Sequence, residues 1–199
     1  MYKIETILLV KIIGKVEDSI FLSSLEEVSK INWEIIDIED RSRNYIFSTS
    51  RSISLRVPKI TDVRPTSVLD WGTILDCIDH QQNKLRYPAC YRAVEWILTQ
   101  VNGISLGRVM IVNLLPGGIV APHIDSGIYF SKYSRFHIPL ITNEQVVFSR
   151  GKNATEEHMP CGHLCQLNNL DMHMVKNNTD YHRIHIIADI EIRGGNYVF

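Results

Sequence analysis

The stretch Val109-Met-Ile-Val-Asn-Leu-Leu115, Pro116-Gly-Gly118, Ile119-Val-Ala-Pro-His-Ile124 decides the fold. A run rich in Val, Ile and Leu is stopped by a Pro-Gly-Gly turn, and a second short run follows at once. That reads as strand, turn, strand. The same pattern continues downstream, with strands expected over 136–142, 145–149, 162–167, 173–176 and 181–192. Asn143-Glu144 reads as a short hairpin connection between two of them. Short strands at regular spacing argue for a β-sandwich or a jelly-roll barrel.

Upstream of about residue 105 the signals change. Asp18 precedes Ile20, Phe21, Leu22, Leu25 and Val28, an apolar stripe at helical spacing. Thr66 or Ser67 can cap a second helix through Val68, Leu69, Ile74, Leu75 and Ile78. Pro88 suits the first turn of a third, carried by 89–101 and ended by Asn102-Gly103. Between the first two, Ser52-Ile-Ser-Leu-Arg-Val57 alternates as a half-buried strand does. The expectation is a mainly β chain with flanking helices: a helix-rich part over 1–104 packed outside a β core over 105–192, in one domain spanning 1–199.

Composition narrows the function classes. The chain has 199 residues, 45% hydrophobic and 22% charged, which excludes disordered and collagen-like classes. A formal net charge of −1 provides no basic field for nucleic acid. The apolar run from Ile7 to Ile13 is interrupted by Lys11 and too short to span a membrane. It lacks the basic flank and cleavage site of an export signal, so a cytoplasmic protein is expected. Cys161 and Cys165 are either zinc ligands together with His163 or, like Cys77 and Cys90, free thiols of a reducing compartment.

The candidate chemistry lies among the eight histidines, and above all among His123, His137, His173, His182 and His185 of the strand-rich half. In His123-Ile-Asp125 the two polar side chains share one strand face. With His173 from a distant strand they would make a set of two nitrogens and one oxygen, which suits Fe(II) with open positions. The other reading is a hydrogen-bonded surface His–Asp pair. Arg183, ten residues after His173, shares a face with His185, Ile187 and Asp189, on a strand expected to return beside His173. An inward guanidinium calls for an anion and offers it a bidentate fork. Its alternative is a solvated strand arginine. Arg135 and His137 also share a face, either for an anionic ligand or as charge protecting a sheet edge. Trp33, Arg43, Arg51, Arg56 and Trp71 are further candidate contacts at a substrate entrance, or core aromatics and solvated arginines.

His123-x-Asp125, Arg135-x-His137, His173 and Arg183, in this order, resemble the aspartyl/asparaginyl β-hydroxylase-like branch of the Fe(II)/2-oxoglutarate oxygenases. Leu115-Pro-Gly-Gly-Ile-Val-Ala-Pro-His123 and Gly162-His-Leu164 add to the match, which covers about 105–192. The resemblance implies a double-stranded β-helix, cupin-like, and hydroxylation of an amino acid or a peptide side chain. 2-Oxoglutarate would be decarboxylated to succinate and CO2, with O2 as the oxidant. It implies that His123, Asp125 and His173 hold the iron and are the catalytic set. Arg183 would pair with the distal carboxylate of 2-oxoglutarate, assisted by His137, and Arg135 would face the substrate. Asp125 makes the chain similar to bacterial and phage-like members, since the animal enzymes lack that carboxylate. Two other classes stand beside this one: a cupin-like divalent-metal enzyme that is not an oxygenase, and a non-catalytic β-sandwich.

Overall fold

A computed structural model of the chain describes residues 8–36, 45–59, 75–151 and 154–194. Among these described residues ten strands form two antiparallel sheets. The larger contains β1 (Val10–Lys15), β2 (Ser50–Pro58), β3 (Cys77–Asp79), β4 (Gly103–Leu114), β6 (Ser134–Ile141), β8 (His163–Leu167) and β10 (Arg183–Ile192), in the order β1-β8-β6-β10-β4-β2-β3. The smaller contains β5 (Ile119–His123), β7 (Val146–Ser149) and β9 (His173–Asn177), in the order β5-β9-β7. From β4 to β10 the chain alternates strictly between them, one strand in the larger sheet and the next in the smaller. That alternation is the winding of a double-stranded β-helix.

The alternation corrects two expectations. Asn143-Glu144 does not close a hairpin: β6 pairs with β8 and β10, and β7 pairs with β9. The turn carries the chain from one sheet to the other. Likewise β10 does not run beside β9 but faces it from the opposite sheet. At the decisive Pro-Gly-Gly turn, Gly117 has φ +64°, open to glycine without strain. A Cβ on Gly118 would lie 2.7 Å from the Leu115 carbonyl oxygen.

Side chains alternate across each strand, so the larger sheet has two distinct faces. Ile53, Leu55, Val109, Ile111, Phe136, Ile138 and Leu140 point outward from β2, β4 and β6, and Ile184, Ile186, Ala188 and Ile190 from β10. Two helices cover them: α1 (Asp18–Ser29) and, after the short α2 (Gln81–Arg86), α3 (Pro88–Gln100). The expected first and third helices are these. Pro88 sits in the first turn of α3, and Asn102, at φ +50°, follows its end. The Glu27 carboxylate of α1 accepts from the backbone N–H of Ala89 (3.0 Å) and Cys90 (2.8 Å), satisfying donors that the start of α3 leaves open. A second apolar cluster, including Leu114, Val120, Val146, Phe148, Leu167 and Val175, fills the space between the sheets.

The first half of the chain carries more strand than its helical signals suggest, since β1 to β3 complete the larger sheet. Ile78, expected on a second helix, lies in β3, where it pairs with Val57. The rest of that expected helix, together with Arg43 and Trp71, falls outside the described residues or, as Leu75, just before β3. Trp33 is a core residue, and the Arg56 guanidinium pairs with Asp79 and donates to the Cys77 carbonyl. Among the described residues no helix is long and apolar enough to cross a membrane. A further short helix, α4 (Ile128–Lys132), lies between β5 and β6.

Candidate metal centre

His123 ends β5 and His173 opens β9, and the two are paired directly across the smaller sheet. Their ring centroids are 4.2 Å apart. Asp125 follows two residues after His123. Its backbone N–H donates to the Asn169 carbonyl (3.1 Å), which fastens this loop to the one leading into β9. His123 Nε2 lies 3.8 Å from Asp125 Oδ1. One ligand atom from each of His123, Asp125 and His173 falls within 4.8 Å of the others. Among the described residues this is the cluster whose donors can share a metal ion.

The surroundings orient all three groups. His123 Nδ1 lies 2.8 Å from the Ala121 carbonyl oxygen, and His173 Nδ1 lies 2.9 Å from that of Asp171. A carbonyl only accepts, so each ring carries its proton on Nδ1 and turns the Nε2 lone pair toward the cluster. Burial pushes the His173 imidazole down to about 4, which keeps it neutral and able to ligate near neutral pH. For Asp125, burial acts upward, but the nearby charge of Arg135, followed by His173 and His123, holds the carboxyl below its usual range. Two neutral imidazoles and one carboxylate fit Fe(II), with coordination positions left open.

Asp125 uses its second oxygen inward. Oδ2 accepts from Arg135 Nη1 (2.6 Å) and from Asn169 Nδ2 (3.2 Å). Arg135 Nε and Nη2 donate to Asp189 Oδ1 (2.8 Å) and Oδ2 (3.0 Å), a bidentate pair between residues in register on β6 and β10. The Tyr129 hydroxyl donates to Asp189 Oδ2 (3.0 Å) and accepts from the Arg108 backbone N–H (2.6 Å). Arg135 was expected to face the substrate. Here three of its nitrogens are engaged by the two carboxylates. A buried guanidinium takes the nearest anions available, and Asp189 stands opposite it in the sheet.

Deeper in the barrel lie Arg183, His137 and His185, each at most 3% exposed. The Arg183 guanidinium carbon is 5.4 Å from the Phe148 ring, across the gap between the sheets. Phe148 also meets the rings of His137 (6.1 Å) and His185 (6.4 Å). A buried cation on the inner face of β10 is therefore what the structure shows, and a solvated arginine is not. The expectation that the Arg183 strand returns beside His173 is corrected, as described for β9 and β10. Among the described residues, Cys161, His163 and Cys165 do not bring their donor atoms together as a metal site would. Tyr129 and Asn169 carried no signal in the sequence. Asp189 was visible only as one more residue on the Arg183 face.

The sequence model of the aspartyl/asparaginyl β-hydroxylase family matches residues 23–192. The chain belongs to this family. The match crosses from the helical part into the barrel, and it makes the protein a hydroxylase of the 2-oxoglutarate-dependent oxygenase class. No curated protein sequence matches the chain. The hydroxylase is similar in structure to a prolyl hydroxylase of Trichoplax adhaerens solved with a hypoxia-inducible factor peptide. The TM-score is 0.59 at 12% identity, covering 92% of this chain and 83% of that one. It is also similar to a prolyl-4-hydroxylase of Pseudomonas putida, with TM-score 0.51 at 10% identity, covering 94% of each chain. At such identities these two likenesses establish the shared double-stranded β-helix.

Proposed function

We propose that the hydroxylase holds Fe(II) on His123, Asp125 and His173 and hydroxylates an amino acid or a peptide side chain, converting 2-oxoglutarate and O2 to succinate and CO2. The observation that carries this reading is the convergence of two Nε2 atoms and one carboxylate oxygen, each turned inward by a hydrogen bond on its far side. The metal, when bound, supplies the redox centre at which O2 is used to oxidise an unactivated C–H bond. His123 and His173 offer neutral imidazole nitrogens, and Asp125 offers Oδ1. Arg135 acts through Asp125: it holds Oδ2, while Asp189 holds Arg135 and the Tyr129 hydroxyl holds Asp189.

Arg183 supplies the fork for the distal carboxylate of 2-oxoglutarate, and His137 on β6 assists through its contact with His185. A carboxylate suits a guanidinium, which offers it two parallel N–H donors. The apolar walls around them, Phe148 and Leu114 among them, keep water away from the co-substrate. The barrel of 105–192 and the helices and strands of 1–104 work as one domain, consistent with a family match that spans both. Ferrous iron and free thiols suit a reducing compartment, and we place the protein in the cytoplasm.

The test is spectroscopic and catalytic. Fe(II) and 2-oxoglutarate added without oxygen should give a weak visible band. A screen of free amino acids and peptides should then find a substrate that drives succinate formation. No band and no turnover of 2-oxoglutarate would overturn the reading.

A further inference from the structure

His185 lies on the inner face of β10, two residues after Arg183, and is fully buried. Its Nδ1 is 3.3 Å from Nδ1 of His137. A hydrogen bond between two ring nitrogens needs one N–H and one lone pair. One ring therefore donates from Nδ1 and the other accepts there, and a neutral ring that accepts on Nδ1 carries its proton on Nε2. Burial, and after it the charges of Arg183 and His137, push the His185 imidazole well below its ordinary value, so it is neutral. Nε2 of His185 is buried and makes no hydrogen bond. A polar ring atom left so inside a barrel is costly unless a ligand meets it.

The position tells which ligand. Residues two apart on a strand point the same way and stand about 6.6 Å apart along it. The His185 ring and the Arg183 guanidinium both look across at Phe148. A carboxylate gripped by an arginine fork still has lone pairs for another donor. We propose that His185 is a co-substrate-binding residue, whose Nε2–H donates to the same distal carboxylate that Arg183 holds. His137 then donates its Nδ1–H to His185 and fixes the tautomer. The inference rests on the reading of Arg183 and 2-oxoglutarate given above.

Two variants separate the ring positions. His185→Asn keeps a polar atom near the Nδ1 position, toward His137, and loses the donor at Nε2. His185→Gln places an amide N–H near the Nε2 position. Each is loaded with Mn(II) and titrated with 2-oxoglutarate, and with 2-oxobutyrate, which keeps the 2-oxo acid end and lacks the distal carboxylate. His185→Asn should raise the Kd for 2-oxoglutarate about 10- to 100-fold, while His185→Gln stays within about threefold of wild type. Affinities for 2-oxobutyrate and Mn(II) should not change in either variant, because His185 touches neither the metal nor the 2-oxo acid end. A wild-type Kd in His185→Asn, or a His185→Gln as weak as His185→Asn, overturns the inference alone. Wild-type protein that binds 2-oxoglutarate no more tightly than 2-oxobutyrate overturns the underlying reading of Arg183, and this inference with it.

Discussion

The two faces of β10 differ in kind. Outward, Ile184, Ile186, Ala188 and Ile190 are buried in the apolar cluster under the helices. Inward, Arg183, His185 and Asp189 are just as buried, yet each is polar and each faces a specific partner. The outer face needs only hydrophobic side chains of about the right volume, because burial of apolar surface has no direction. The inner face needs particular atoms at particular distances, because a buried polar group is stable only where its hydrogen bonds are met. One strand thus separates stability from chemistry, and substitutions on its two faces should fail in different ways.

The largest effect should come from the residues the inner wall serves. His123→Ala or His173→Ala should abolish Fe(II) binding and succinate formation, with melting temperature little changed. Mn(II) titration followed by paramagnetic resonance checks this, and wild-type turnover in either variant would sink the metal assignment. Asp125→Ala should weaken metal binding in the same direction. Next, Arg183→Ala should cost about 3–5 kcal/mol of 2-oxoglutarate binding, more than a hundredfold in Kd, by leaving a carboxylate unpaired. Mn(II) affinity should hold. Arg183→Lys keeps the charge, loses the fork and should fall between.

The outer face predicts the opposite signature. Ile186→Ala should destabilise the fold by about 2–5 kcal/mol, read as a lower denaturant midpoint, while turnover per folded molecule stays constant. A loss of co-substrate affinity in that variant would break the separation of the faces. Asp189→Asn tests the border between them. It removes the bidentate partner of Arg135, so metal affinity should drop about 10- to 100-fold through a misplaced Asp125. Loss of stability without loss of metal affinity would make the Arg135–Asp189 pair a structural strut only.

The smallest expected effect lies on the surface, at Asp79. Burial acts upward on its carboxyl, but Lys84, Tyr91 and Arg56 hold it below its usual value. Its folded value being lower, the stability it contributes is present above the unfolded value and is lost as pH falls through the folded one. Asp79→Asn should therefore flatten the acid limb of a urea-midpoint profile below about pH 4, by a modest amount for a half-buried cluster at the sheet edge.

The sequence by itself determined what period and spacing can carry. Alternation marked the strands and named the residues sharing a face, so Arg183, His185 and Asp189 were legible as a set. Asp125, by contrast, lies beyond the end of β5, and it is the loop held by Asn169, not strand alternation, that brings it to His123. Helical spacing and Pro88 located α1 and α3. Tertiary structure decided which sheet each strand joined and what stood opposite each polar group. Asn143-Glu144 has the composition of a hairpin turn, and only the pairing of β7 with β9 makes it a crossing between sheets. Arg135 finds Asp189 because β6 and β10 meet in one register, and Asn169 reaches Asp125 through a loop contact that no local pattern encodes. The physical reason is that a strand's alternation is a property of its own backbone. Its neighbours are set by the burial and hydrogen bonding of segments far away in the chain.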